Sequence, residues 1–324
     1  MKRYEVRIER SAKTGILVHL RDRKAGLRVS CAPKFGFLWY RFEVTPPGKK
    51  EPIELFHRAK FPPTDMDDGM CPILFPLVGR LRRGNRQNVY RRSGRDVRMP
   101  IHGFAKDLPW SLVEAESSPT EAYVTARLSD NAKSRKMYDW PFEFLLTYCV
   151  SEGALHVMAG IDSDGPWTLG FHPYLRLPLS DRPGARERCI VRVPVTSTWE
   201  EKHLVPTGII RPLGDDFPLA KGVRISNVDC DQIFTDIASR TDGTYSMDYY
   251  DPAAHTGVAI ESSAKVFSEV VIYCRKGEPY ICIEPWTAPP NALNTGWGLA
   301  SAGTAIRSTI TYRPIFQPPA GMRT

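Results

Sequence analysis

The chain has 324 residues, 42% of them hydrophobic and 25% charged, and carries a formal net charge of +8. Length alone suggests about two domains, but β-sandwich folds run this long as one, and a chain of this size buries a substantial core. Its 28 prolines favour short elements and turns over long helices, and no stretch approaches the roughly 18 apolar residues of a membrane span.

The first twenty residues contain no sustained apolar segment, so no signal peptide is expected. Tyr4 to Ile8 alternates apolar and polar residues, and the same period of two recurs at Tyr123 to Leu128, Val191 to Val193 and Ser308 to Tyr312. This is the pattern of half-buried strands. Denser apolar runs at Gly36 to Tyr40, Phe142 to Val150, Leu155 to Met158 and Val270 to Cys274 read as central strands. Turn clusters separate them at Pro46-Pro47-Gly48, Ser163-Asp164-Gly165-Pro166 and Thr241-Asp242-Gly243. The best helix candidate runs from Asp130 to Tyr138, at most about three turns, opened by an Asp/Asn cap and closed before Pro141. The Pro-rich end after Pro314 reads as an extended tail. So many strands without a linker or repeat imply an all-β chain of large sheets packed face to face. The expected organisation is one domain over residues 1–324, with a core of about 4–314 and a tail of about 315–324.

Basic charge concentrates at Arg80, Arg82, Arg83, Arg86, Arg91, Arg92, Arg95 and Arg98. The plain reading is a solvated hairpin; the sharper one is an anion site, because guanidinium forks match phosphate geometry. No helix-turn-helix, zinc-finger or RNA-recognition signature accompanies the charge, so nucleic acid is not expected as a partner. The seven cysteines are scattered and never spaced Cys-x-x-Cys. That argues against a disulfide framework or a structural zinc site and fits a reducing cytoplasm.

Four stretches set polar residues among aromatics, Pro and Gly: Cys71 to Arg80, Pro100 to Ala105, Leu169 to Tyr174, and Ile281 to Asn294. Glu284 closes an apolar run and precedes Pro285, which cannot donate to a ladder, so it is expected at the mouth of a buried strand that stops there. Partial desolvation raises a carboxyl's pKa toward neutral, which suits a general base. A structural Glu paired with an Arg or a backbone donor is the alternative. His172, between Phe171 and Pro173, is either a proton donor near neutral pH or a hydrogen-bonded structural residue. His102 carries the same two readings, with Gly103 suggesting a tight turn that presents the ring. These residues lie far apart, without a His-x-His or His-Glu-x-x-His pairing, so no metal is expected.

At these stretches the sequence resembles the aldose 1-epimerase (galactose mutarotase-like) family. The segments Phe75-Pro76-Leu77-Val78-Gly79-Arg80, His102-Gly103-Phe104-Ala105, Gly170-Phe171-His172-Pro173-Tyr174, Asp231-Gln232-Ile233-Phe234 and Glu284-Pro285-Trp286-Thr287 follow the family's order. The resemblance implies a β-supersandwich with an open concave face, and cofactor-free interconversion of the α- and β-anomers of a sugar. It places Glu284 as general base and His172 as general acid. His102 falls at the second histidine, Arg80 at the substrate-contacting arginine, and Asp231, with Asp229 as near neighbour, at the aspartate that binds sugar hydroxyls. Trp286 could stack on the sugar or belong to the core. The substrate is a monosaccharide, free or phosphorylated, and the family suggests a monomer or homodimer. A non-catalytic sugar-binding paralogue and a polysaccharide lyase-like enzyme are the competing functions, because fold does not fix chemistry.

Overall fold

The computed structural model describes residues 2–215, 217–301, 303 and 306–322. Each alternating or dense apolar run noted above falls wholly or mostly in a strand: Tyr4–Ser11, Leu38–Val44, Ala122–Ser129, Phe142–Ser151, Ala154–Ser163, Ile190–Arg192, Glu269–Cys274 and Ile306–Ile315; Gly36, Phe37 and Val193 lie just outside. The described α-helices are two four-residue turns, Ala185–Arg188 and Ala292–Thr295. None of the described helices is long and apolar enough to cross a membrane.

A five-stranded meander forms from the N-terminal residues, and behind it lie a nine-stranded and an eight-stranded sheet. All the strand pairings in these sheets are antiparallel. Alternation sends one side of each strand into a shared core. Trp39 from the first sheet, Tyr148 and Tyr312 from the second, and Ile272 and Ile283 from the third meet in one fully buried cluster. Each such large side chain contributes about 2 kcal/mol through burial. The cysteines are free thiols, six of the seven buried.

The opposite side of the eight-stranded sheet positions the site. Its central strands are Cys230–Ile237, Glu269–Cys274 and Tyr280–Trp286. Register places Asp231 beside Tyr273 and Tyr273 beside Cys282; one step on, Ile233 lies beside Val271 and Val271 beside Glu284. With a side-chain period of two, Asp231, Tyr273, Val271 and Glu284 share one face. On its other flank Tyr280–Trp286 meets two short strands rather than one long one: Tyr174–Arg176 pairs with residues 280–282, and Gly170–Phe171 with Trp286. His172 and Pro173 form the break between them.

Three expectations need correction. The strand does not stop at Pro285 but runs on to Trp286: Pro285 keeps its place beside Val270, and Trp286 is paired on both flanks, with Glu269 and Gly170. The helix from Asp130 to Tyr138 is reduced to the 3-10 turn Ser134–Lys136. Asn131 Oδ1 accepts from the N–H groups of Lys133 (2.9 Å) and Ser134 (3.1 Å), closing a local turn that competes with helix. The Pro-rich end is no free extended tail: Pro314 and Ile315 finish a central strand, and Met322 is buried against Ile190 and Tyr250. Residues 323–324 of that expected tail lie outside the described residues.

Candidate active site

Glu284 is 1% exposed and His172 6%. His172 Nε2 lies 3.2 Å from Glu284 Oε1. The break described above brings His172 level with Glu284, and its N–H donates to the Pro72 carbonyl at 3.2 Å. The imidazole stacks on Tyr174, with ring centres 4.5 Å apart and planes 15° from parallel, and meets the ring of His102 edge-on at 5.5 Å. Its Nδ1 is buried without a hydrogen-bond partner, so packing holds the ring in place.

Burial, reinforced by the charge of Asp231, pushes the Glu284 carboxyl well above the ordinary carboxylate range; a hydrogen bond from Trp286 opposes the rise. That bond runs from Trp286 Nε1 to Glu284 Oε2 at 3.1 Å. Burial also lowers His172 to about 3. Burial thus favours the uncharged form of both groups, a carboxyl that can donate its proton to the imidazole Nε2. Moving that proton to Nε2 creates carboxylate and imidazolium without any change in net charge.

His102 is held in the left-handed region, at φ 65°, a costly conformation for a residue with a side chain. Gly103 follows at φ 71°, and a Cβ there would come within 2.2 Å of the Phe75 carbonyl oxygen, so the turn requires glycine. The turn locks onto the loop before Arg80: His102 N–H donates to the Gly79 carbonyl at 2.9 Å, and Gly79 N–H donates to His102 Nδ1 at 3.1 Å. Accepting at Nδ1 leaves the proton of the neutral ring on Nε2. Desolvation, then His172 and the cations Lys106 and Arg80, keep His102 uncharged. His102 is thus a fixed neutral donor.

Arg80 is positioned by Asn291, whose N–H donates to the Arg80 carbonyl at 2.8 Å and whose Oδ1 accepts from Arg82 N–H at 2.9 Å. Gly170 admits the indole of Trp286, since a Cβ there would meet Trp286 Cδ1 at 2.6 Å.

A pocket of about 890 Å³ opens over this face, lined by Arg80, His102, His172, Asp231, Glu284 and Trp286. Each candidate site residue is therefore in one cavity. Asp231 lines it, whereas Asp229 is 62% exposed and lies 3.7 Å from Arg275. Burial raises the Asp231 carboxyl, while Arg275 and Arg80 pull it back. Sequence reasoning missed Glu201 and gave no role to Tyr174 or Tyr273, all of which line the pocket. The aromatic neighbours of His172 were the available signal for Tyr174; Glu201 gave none.

The Arg82 to Arg98 stretch stays outside. It forms short hairpins, and among the described residues only Asn88 of that stretch lines the pocket. Arg83 and Arg91 lie 3.4 and 3.3 Å from Asp96, which Arg86 also contacts. Arg92 bonds Asp139 at 3.0 Å and covers the ring of Trp140 at 3.6 Å. The anion reading of this stretch finds no support at the pocket, because none of these arginines lines it.

His172, Cys282 and Glu284 place one donor atom each within 4.8 Å of one another, a spacing a metal ion could bridge. Burial holds the Cys282 thiol well above its usual pKa, so a metal ion there would have to displace its proton. The set suits proton transfer better than it suits metal binding.

Residues 45–312 match the family model described as aldose 1-epimerase. The chromosomal LacX protein of Lactococcus lactis subsp. lactis is 23% identical over 238 residues, which is 71% of this chain and 77% of LacX. Among solved structures, the Slr1438 protein of Synechocystis superposes with a TM-score of 0.74 at 26% identity, covering 92% of this chain and 95% of its own. A galactose mutarotase-like protein of Clostridium acetobutylicum gives 0.81 at 18% identity over 97% and 99% of the two chains. A galactose 1-epimerase of Lactobacillus acidophilus gives 0.74 at 13% over 98% and 100%.

Proposed function

Because the chain belongs to the aldose 1-epimerase family, we propose that it is a mutarotase, interconverting the α- and β-anomers of an aldohexose by general acid–base ring opening. The observation that carries this reading is the 3.2 Å contact between the buried His172 Nε2 and Glu284 Oε1 on the pocket wall.

The anomeric hydroxyl and the ring oxygen are bonded to the same carbon, so two adjacent groups can serve both. Glu284, as carboxylate, takes the hydroxyl proton. The C1–O5 bond breaks toward O5, which receives the proton of imidazolium His172, and C1 becomes an aldehyde. Rotation about C1–C2 exposes the other carbonyl face, and the reverse transfers close the ring as the other anomer. The pair then resets by passing one proton across its own contact. Each positioned group contributes on the order of 100- to 10,000-fold. The isomerisation moves a proton and a bond pair and balances with these side chains alone.

His102 supplies a neutral N–H donor near the ring oxygen. Arg80 and Asp231 hold the remaining hydroxyls, keeping the open-chain sugar bound while it rotates. Trp286 steadies Glu284 through its indole N–H and offers a ring face to the sugar. The core shared by the sheets supports reading residues 1–324 as one domain, and the free, buried thiols fit a reducing cytoplasm.

The test is polarimetric relaxation of freshly dissolved α-D-glucose and α-D-galactose, with His172→Asn and Glu284→Gln beside the wild type. The wild type should accelerate relaxation, and each variant should lose at least roughly two orders of magnitude. A wild type inert toward both sugars and toward other aldohexoses would overturn the reading.

A further inference from the structure

Glu201 reaches the pocket through an irregular hairpin. Strands Val195–Lys202 and Val205–Pro212 shift register between Trp199 and Glu201. At the hairpin tip His203 and Leu204 both have positive φ, 59° and 60°. Glu201 and Leu204 consequently line the same cavity as Asp231 and Glu284. Gln232 Nε2 holds the Glu201 carboxylate at 3.3 Å while also donating to Thr198 Oγ1 at 2.8 Å.

Among the described residues no cation forms an ion pair with Glu201, and none acts on its carboxyl. Lys106 is paired with Asp107 at 2.6 Å, and Lys34 donates to the Lys13 carbonyl at 3.0 Å. Arg80 is close enough to act on Asp231. Carboxylates accept hydrogen bonds from sugar hydroxyls, but beside a second anion in a partly desolvated wall they repel it strongly.

Resting on the mutarotase reading, we propose that Glu201 and Asp231 form an acidic wall that selects uncharged aldoses and rejects sugars bearing a phosphate or carboxylate. Glu201 sets the strength of the rejection. Burial and the neighbouring Asp231 push its carboxyl up to about 7. The other charged groups around it are Lys202 and His203 at the hairpin tip and Arg275 and Arg80 acting through Asp231. On the paired strand, Arg211 is held by Glu200. As pH falls from 8 to 6 Glu201 takes up a proton, the wall loses a charge, and rejection weakens.

The experiment measures calorimetric binding and mutarotation of glucose, glucose 6-phosphate and glucuronate, whose carboxylate stays ionised from pH 6 to 8. At pH 8 and low salt the wild type should favour glucose over either anion by at least about 30-fold. The preference over glucuronate should shrink at least threefold at pH 6. Glu201→Gln should narrow it about tenfold at pH 8 and flatten its pH dependence. If that variant does not fold, the wild-type pH dependence decides alone. Anions accepted as well as glucose, a ratio unmoved by pH, or a folded variant with the ratio unchanged would overturn the proposal. Binding that follows the expected ratios without any acceleration of mutarotation would sink the catalytic reading and leave the acidic wall standing. A chain that binds none of these sugars would overturn both.

Discussion

Asp96 and Glu284 are both carboxylates with nitrogen groups close by, and their surroundings differ in kind. Asp96 sits in the arginine-rich hairpins with Arg83 and Arg91 at 3.4 and 3.3 Å and Arg86 in contact, and those side chains are 42–62% exposed. Glu284 is 1% exposed, and the groups it touches are an imidazole and an indole, both neutral. The first carboxylate is compensated by cations in water, so nothing there drives a proton to move. The second is desolvated without a cation, so burial favours its protonated form, and the base nearest that proton is His172. Density of charge in the sequence therefore leads away from the pocket, whereas a single carboxylate at the end of an apolar run leads into it.

The contrast can be broken by substitution. The largest expected effect is on turnover. Glu284→Gln should lower the catalysed relaxation rate by 100- to 10,000-fold, while Arg83→Gln, Arg86→Gln and Arg91→Gln together should leave it within about twofold. Comparable losses at both places, measured by polarimetry, would erase the distinction.

Next comes a stability effect of opposite sense. Unfolded Glu284 ionises from about its reference pKa of 4.5, whereas the folded chain keeps the proton to a higher pH. Wild-type stability should therefore fall relative to Glu284→Gln as pH rises through that window, by at most about 1.4 kcal/mol per pH unit. The two proteins should converge below pH 4.5. Denaturant melts from pH 4 to 8 measure it, and a difference independent of pH would show that Glu284 is not held protonated.

A smaller loss, on the order of tenfold, is expected from Trp286→Phe, which removes a hydrogen bond to a charged acceptor and leaves the carboxylate form of Glu284 less favoured. The alkaline shift should appear in the kcat profile, where a purely packing role would leave the pH dependence unmoved. Smallest of all, the triple arginine variant should change unfolding free energy by less than about 1 kcal/mol for each exposed pair, and less at high salt. A larger cost would mean that the hairpins do more than solvate their charge.

Much of the fold was legible because burial leaves a pattern: Tyr4 to Ile8 alternates with a period of two, and Phe142 to Val150 and Val270 to Cys274 are short apolar runs rich in β-branched and aromatic residues. The helix at Asp130 was misread because Asn131 and Asp130, good caps in a linear reading, close a turn and bond Phe142 N–H instead. Glu284, His172 and His102 were legible through Pro, Gly and aromatic neighbours, Arg80, Asp231 and Trp286 only with the family resemblance added, and all six line one pocket. Glu201 was not, because it stands in an ordinary alternating stretch and reaches the pocket through a register shift that no residue type announces. The continuation of the strand through Pro285 was equally hidden, since it is set by the pairing of Trp286 with Glu269 and Gly170 elsewhere in the chain.

The central claim is that Glu284 and His172 act as one proton-transfer unit. A double-mutant cycle tests it most directly, with relaxation of α-D-galactose measured for wild type, Glu284→Gln, His172→Asn and the double variant. Groups acting as a unit are non-additive, so the double variant should be no slower than the worse single one. Losses that multiply would contradict the account and leave two residues working independently.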